Sequence, residues 1–232
     1  MSSRDISPQA YARIGGVLYL IIIALGLFGE LGRGGLIVTG DPAATAARIR
    51  ASEWLWRATI AGNLVHLACA VVLTLVLYAL LSPVGRHLAL MAAFFDLTSI
   101  AVEAISKLPL LAALFLLGRA EYLRALEPAQ REVLSYLSIR LHAYGFGLSL
   151  IFFACGCLVF GHLIAKSAFF PSILGVLLQV AGVCYLTNSF ALLLAPRLAD
   201  AIFPFILVPA FIGEASLCAW LVVKGVDVQR WH

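Results

Sequence analysis

Charge is what this chain has least of. Asp, Glu, Lys and Arg make up 12% of its 232 residues, against ~25% in an ordinary soluble domain, while hydrophobic residues make up 62%. A water-soluble globule has no way to hide that much apolar surface, so the composition excludes one. The basic residues leave a net charge of +4 but are scattered along the chain, with no run that would make a nucleic-acid patch. A disulfide framework is missing as well, because Cys69, Cys155, Cys157, Cys184 and Cys218 all sit within apolar runs, where a thiol packs as a small hydrophobe. There is no Gly-x-Ser-x-Gly elbow, no His-Glu-x-x-His and no Glu-x-x-His. The stretch Gly32-Arg33-Gly34-Gly35 lacks the preceding strand that a phosphate loop requires, and reads as a turn leaving the first helix. No metal site and no cofactor are expected.

What is abundant is long apolar sequence. Only helices and closed barrels satisfy the backbone inside a bilayer, and a helix needs about 20 residues to cross it. Six runs meet that length, at about 12–29, 58–81, 88–117, 141–164, 172–195 and 201–223. The expected fold is therefore all-α: a single polytopic membrane domain over residues 1–232, built as a bundle of six transmembrane helices. The third run is too long for one upright span, and Pro109 should kink it or mark its exit from the membrane. Glu127-Pro128 reads as a helix start, so the fourth helix should extend beyond the bilayer as a stalk. Pro171 should open the fifth helix and Pro196 close it, and Pro204 and Pro209 should bend the sixth. In the first long loop, Asp41-Pro42 caps a short amphipathic helix from Ala43 to Trp56, whose Trp54, Trp56 and arginines suit an interfacial position among lipid headgroups. Counting Lys and Arg over the loops favours the side opposite the termini. Arg4 and Arg13, which precede the leading helix, nonetheless put the termini in the cytoplasm.

Ionisable groups inside apolar helices cost several kcal/mol unless paired or wet, which makes each a functional candidate. His66 lies three residues after Asn63 on the second helix. Asp96, Ser99, Glu103 and Lys107 form one polar stripe down the third. Within that stripe Glu103 and Lys107, at i and i+4 in the favourable order, read as a structural ion pair. Asp96 has no such local partner, and its relief would come from His66 of the second helix, from protonation of the carboxyl, or from water. Glu214 sits centrally on the sixth helix, His142 at the entrance of the fourth, and Asn188 on the fifth. His66, Glu103, Lys107, His142 and Asn188 fall in the half nearer the long loops, which suits a cavity opening away from the termini.

The segments His142 to Leu148, Gly161 to Leu178, Ala181 to Leu186, Leu207 to Glu214 and Leu221 to Gly225, with Ala12 to Leu20 in the first helix, resemble the bacterial membrane family catalogued as domain of unknown function 4386. That resemblance implies six to seven helices in a bacterial plasma (inner) membrane and supplies no activity. By the same resemblance His142, Asn188 and Glu214 fit the family's pattern, whereas an arginine is frequent near the position of Asp96.

The reading with most support is a multi-pass protein that binds or transports a small solute, ion or proton in a polar intramembrane pocket. Glu214 and Asp96 would carry charge or protons, oriented by His66, His142 and Asn188. Its expected partners are the lipid bilayer and that small solute or ion, with no nucleic acid, and the sequence does not set an oligomeric state. The rivals are an intramembrane enzyme using the same groups, metal-dependent or not, and an accessory subunit without pocket chemistry. An enzyme is the less favoured class.

Overall fold

A computed structural model describes residues 7–231. Arg4, used above to orient the termini, lies outside the described residues.

The described residues form eight α-helices and two short 3-10 turns, without a strand. Helix α1 (Pro8–Gly34) begins where Ser7 accepts a hydrogen bond from the Ala10 N–H and Pro8 occupies the first turn, where its missing N–H costs nothing. Helix α2 (Pro42–Ala51) starts the same way, with the Asp41 carboxylate accepting from the Ala44 N–H. Helices α3 (Glu53–Ser106) and α4 (Leu108–Leu116) follow with a break at Lys107, two residues before Pro109. Helix α5 (Pro128–Lys166) opens at Glu127, whose N–H donates to the Gln130 side chain, and runs 39 residues. Helix α6 (Ser172–Leu194) ends because Pro196 drives Ala195 out of helical geometry. Helices α7 (Pro196–Ile202) and α8 (Leu207–Val223) are bent by 58° to one another across residues 203–206.

By length and composition, four stretches can cross a membrane: α1, the 64-residue stretch Glu53–Leu116, α5 and α6. The bent pair α7 and α8 makes a fifth if it counts as one span. The long stretch is not one rod. Gly85 leaves helical geometry (φ −176°, ψ 91°), and the chain reverses there. In a continuous helix Thr74 and Asp96 would stand about 33 Å apart; their side chains are 3.4 Å apart. Trp56 Nε1 likewise donates at 3.0 Å to the carbonyl of Leu110, 54 residues on. Pro83, just before the reversal, cannot donate to Ala79, and the Ser82 hydroxyl takes that carbonyl at 3.2 Å instead. The second and third apolar runs are thus two antiparallel arms of one hairpin.

The helices close into a ring. α1 packs on α3, α3 on α5, α5 on α6, α6 on α8, and α8 returns to α1. Glycines set the tightest seams. A Cβ on Gly175 of α6 would overlap the carbonyl of Gly161 and the backbone of Ala165 in α5, and one on Gly213 of α8 would lie 2.6 Å from the carbonyl of Leu177. Gly175→Ala should therefore force α5 and α6 apart and cost about 1–3 kcal/mol. Thermal melting in detergent would show it as a lowered midpoint, against no such loss for Gly34→Ala, where a Cβ meets nothing within 4 Å.

Two expectations about the first loop need correcting. The amphipathic helix stops at Ala51, so the two tryptophans belong to α3, and they part company: Trp54 is exposed while Trp56 is completely buried and bonded to Leu110. Indole burial with a satisfied N–H makes Trp56 a packing residue instead of a headgroup anchor. Gly32 to Gly34 do not turn the chain out either. α1 continues through them, with Gly32 against Thr59 of α3, and so carries Arg33 into a buried position.

Candidate functional site

At the centre of the ring is a cavity of about 180 Å³. Its wall is mostly apolar, and its polar side chains come from four helices: Tyr19 of α1; His66, Thr74, Asp96, Ser99 and Glu103 of α3; Tyr185 of α6; and Glu214 of α8. The hairpin supplies most of them because its two arms bring residues near 66–74 and 96–103 to matching depths.

Glu214 is the best-held group. Tyr19 donates its hydroxyl to Oε2 at 3.1 Å, and Tyr185 donates to Oε1. One carboxyl therefore ties the first, sixth and eighth helices together. Gly213, immediately before it, lets α8 approach α6 closely enough for the Tyr185 contact.

Asp96 is held far less well. More than nine-tenths of it is buried, the Thr74 hydroxyl reaches Oδ2 only at 3.4 Å, and Oδ1 has no hydrogen-bond partner. Oδ1 lies against Gly156 of α5, where any Cβ would overlap it. The anticipated relief by His66 is not what this structure has. His66 Nδ1 donates to the carbonyl of Ile22 at 3.1 Å, across the α1–α3 seam. With Nδ1 so engaged, Nε2 of the neutral ring is left as an acceptor.

At the end of the cavity nearer the long loops, Lys107 Nζ stands 3.0 Å from Glu103 Oε1 and 5.3 Å from the centre of the Phe146 ring. Glu103 lines the cavity; Lys107 does not. Close by in sequence, His142 Nδ1 donates at 2.8 Å to the carbonyl of Ser106, at the break between α3 and α4. This bond fastens α5 to the hairpin and leaves His142 buried outside the cavity wall. Asn188 is half-buried on α6 and does not line the cavity either. Of the candidates read from sequence, Glu214, Asp96 and His66 meet in one space with Glu103, whereas His142 and Asn188 lie apart from it.

Three partners were not anticipated. Tyr19 and Tyr185 carry no formal charge at neutral pH, so a search for ionisable groups passes over them; the available signal was a phenol deep in an apolar run, whose hydroxyl must find a partner. The glycines around Arg33 make it read as a turn residue. It is buried, donates to Asn63 Oδ1 at 2.7 Å and pairs with Glu30 one helical turn earlier. Among the described residues, no group of three or more His, Cys, Asp or Glu side chains is placed to hold a metal ion.

The family described as Domain of unknown function (DUF4386) matches residues 14–225. No curated protein and no solved structure matches the chain.

Proposed function

Because this chain belongs to the family of unknown function DUF4386, its activity must be argued from its own residues, and we propose that it binds a small solute, ion or proton in the central cavity and lets it pass. The observation that carries this reading is Glu214, held by two tyrosine hydroxyls from different helices inside a space also lined by Asp96 and His66. Burying carboxyls among apolar helices is expensive, and a purely structural bundle could have used leucine in their place. A cavity of this size has room for several waters, so a proton or small polar group can be accommodated beside them. Glu214 and Asp96 are the groups that carry charge or protons, and His66, held by the Ile22 carbonyl, lines the same space.

The proposal includes six membrane crossings in a bacterial plasma membrane, with the termini in the cytoplasm. Six follows from counting each arm of the Gly85 hairpin as one span and α7 with α8 as another. Helix α2, with Thr45, Ala46 and Ile49 turned inward and Arg48 and Arg50 in its last turn, rests against α5 in the interfacial zone.

The test is access to the cavity from each side. In a background with all five cysteines replaced by alanine, Ala70→Cys places a thiol in the cavity wall. In proteoliposomes, a membrane-impermeant thiol reagent should label it from both faces. Labelling from one face only would overturn passage and leave binding; labelling from neither would overturn the cavity reading itself.

A further inference from the structure

The chemistry of the wall narrows the ligand. Three carboxyls line the cavity, Asp96, Glu103 and Glu214, and among the described residues no lysine or arginine does. Glu103 has its counter-charge in Lys107, which sits behind the wall. Among the described residues Glu214 has the two phenols and Asp96 one long hydroxyl contact, and neither has a cationic partner. When its carboxyls are ionised the space is a low-dielectric pocket of one sign, which favours a positive guest.

The remainder of the wall says what kind of cation. Residues such as Ile22, Leu67, Leu73, Leu77 and Leu178 contribute no oxygen, whereas a bare inorganic ion demands a shell of about six oxygens at fixed distances. Five aromatic rings, Tyr19, Phe146, Phe153, Phe160 and Tyr185, also face the space, with Phe153 and Tyr185 5.5 Å apart between ring centres. Ring faces attract ammonium groups, and the apolar wall suits a hydrocarbon body. A cavity of about 150 Å³ is enough for benzene, so the volume here admits a compact organic molecule.

We infer that the cavity is a binding site for a small lipophilic amine in its protonated form. Its ammonium group lies between Glu214 and Asp96, and its apolar body lies against the leucines and aromatic rings. This rests on the cavity-binding reading above and specifies its ligand class.

The experiment is calorimetric titration of the protein in lipid nanodiscs, with empty nanodiscs subtracted because amines enter bilayers. The probes are 2-phenylethylamine, the neutral 2-phenylethanol and the anionic 3-phenylpropanoate. Saturable binding of the amine is expected, with the alcohol and the acid weaker by about tenfold or more. Asp96→Asn and Glu214→Gln should each weaken the amine by about tenfold or more without moving the alcohol, thermal melting confirming that each is folded. If Glu214→Gln does not fold, Asp96→Asn and the three probes on the unaltered protein still decide. Equal binding of amine and alcohol, or tighter binding of the acid, overturns the cationic ligand and leaves a cavity that binds neutral or anionic solutes. No binding of any probe, while Ala70→Cys is still labelled, overturns the amine and leaves the accessible cavity; no binding and no labelling overturns both.

Discussion

Replacing Lys107 by methionine should destabilise the protein by about 3–5 kcal/mol, the cost typical of stripping one partner from a buried ion pair. Lys107 is 3% exposed and its contacts are the Glu103 carboxylate and the Phe146 ring. Methionine keeps the length and apolar stem, so what the substitution removes is the charge. Glu103 is then left at the cavity wall without its counter-ion and must take up a proton or draw in water. The double variant Glu103→Gln, Lys107→Met should recover most of the loss, since removing both members of a buried pair is often close to neutral. Unfolding in graded denaturant-to-lipid detergent mixtures measures both. Single and double variants that melt together would mean that the pair is wet and contributes nothing.

Glu214→Leu is the second large effect. Leucine fits the volume, but it leaves the Tyr19 and Tyr185 hydroxyls on the cavity wall without their protein acceptor, at up to about 1–3 kcal/mol each. Adding Tyr19→Phe and Tyr185→Phe removes the orphaned hydroxyls and should restore a large part of the stability, the signature of hydrogen-bond loss as distinct from poor packing. The triple variant melting below Glu214→Leu would show instead that the phenols are held by something other than the carboxylate.

The apolar runs and the prolines were legible in the sequence because both act locally. Glu127-Pro128, Pro171 and Pro196 mark helix ends by removing an N–H or crowding the preceding residue, and the helices begin and end there. The break in the last helix, flagged by Pro204, is likewise local. Residue partnerships were harder to read. The i, i+4 spacing of Glu103 and Lys107 names its own geometry, but Asp96 reaches Thr74 only because the hairpin folds, and Tyr19 reaches Glu214 only because the ring closes. No periodicity encodes a contact across 195 residues. Arg33 illustrates a competing signal. Glycines read as a turn in water-facing sequence, yet between packed helices the same glycines permit close approach, and here the close approach to Thr59 keeps the helix going.

The Gly85 hairpin also bears on how the chain is made. A ribosome delivers α1 and the hairpin long before α6 and α8, and the early part already holds partners for several of its polar groups. Arg33 has Asn63, His66 has the Ile22 carbonyl, Asp96 has Thr74, and Glu103 has Lys107, all within the first 107 residues. This half can thus form with Arg33, His66 and Glu103 already partnered and one Asp96 oxygen still open, before the remaining helices exist. Glu214 waits longer: its partners come from α1, synthesised early, and from α6, synthesised much later. Helix α8 is therefore the element that closes the ring, its one carboxyl meeting α1 on one side and α6 on the other.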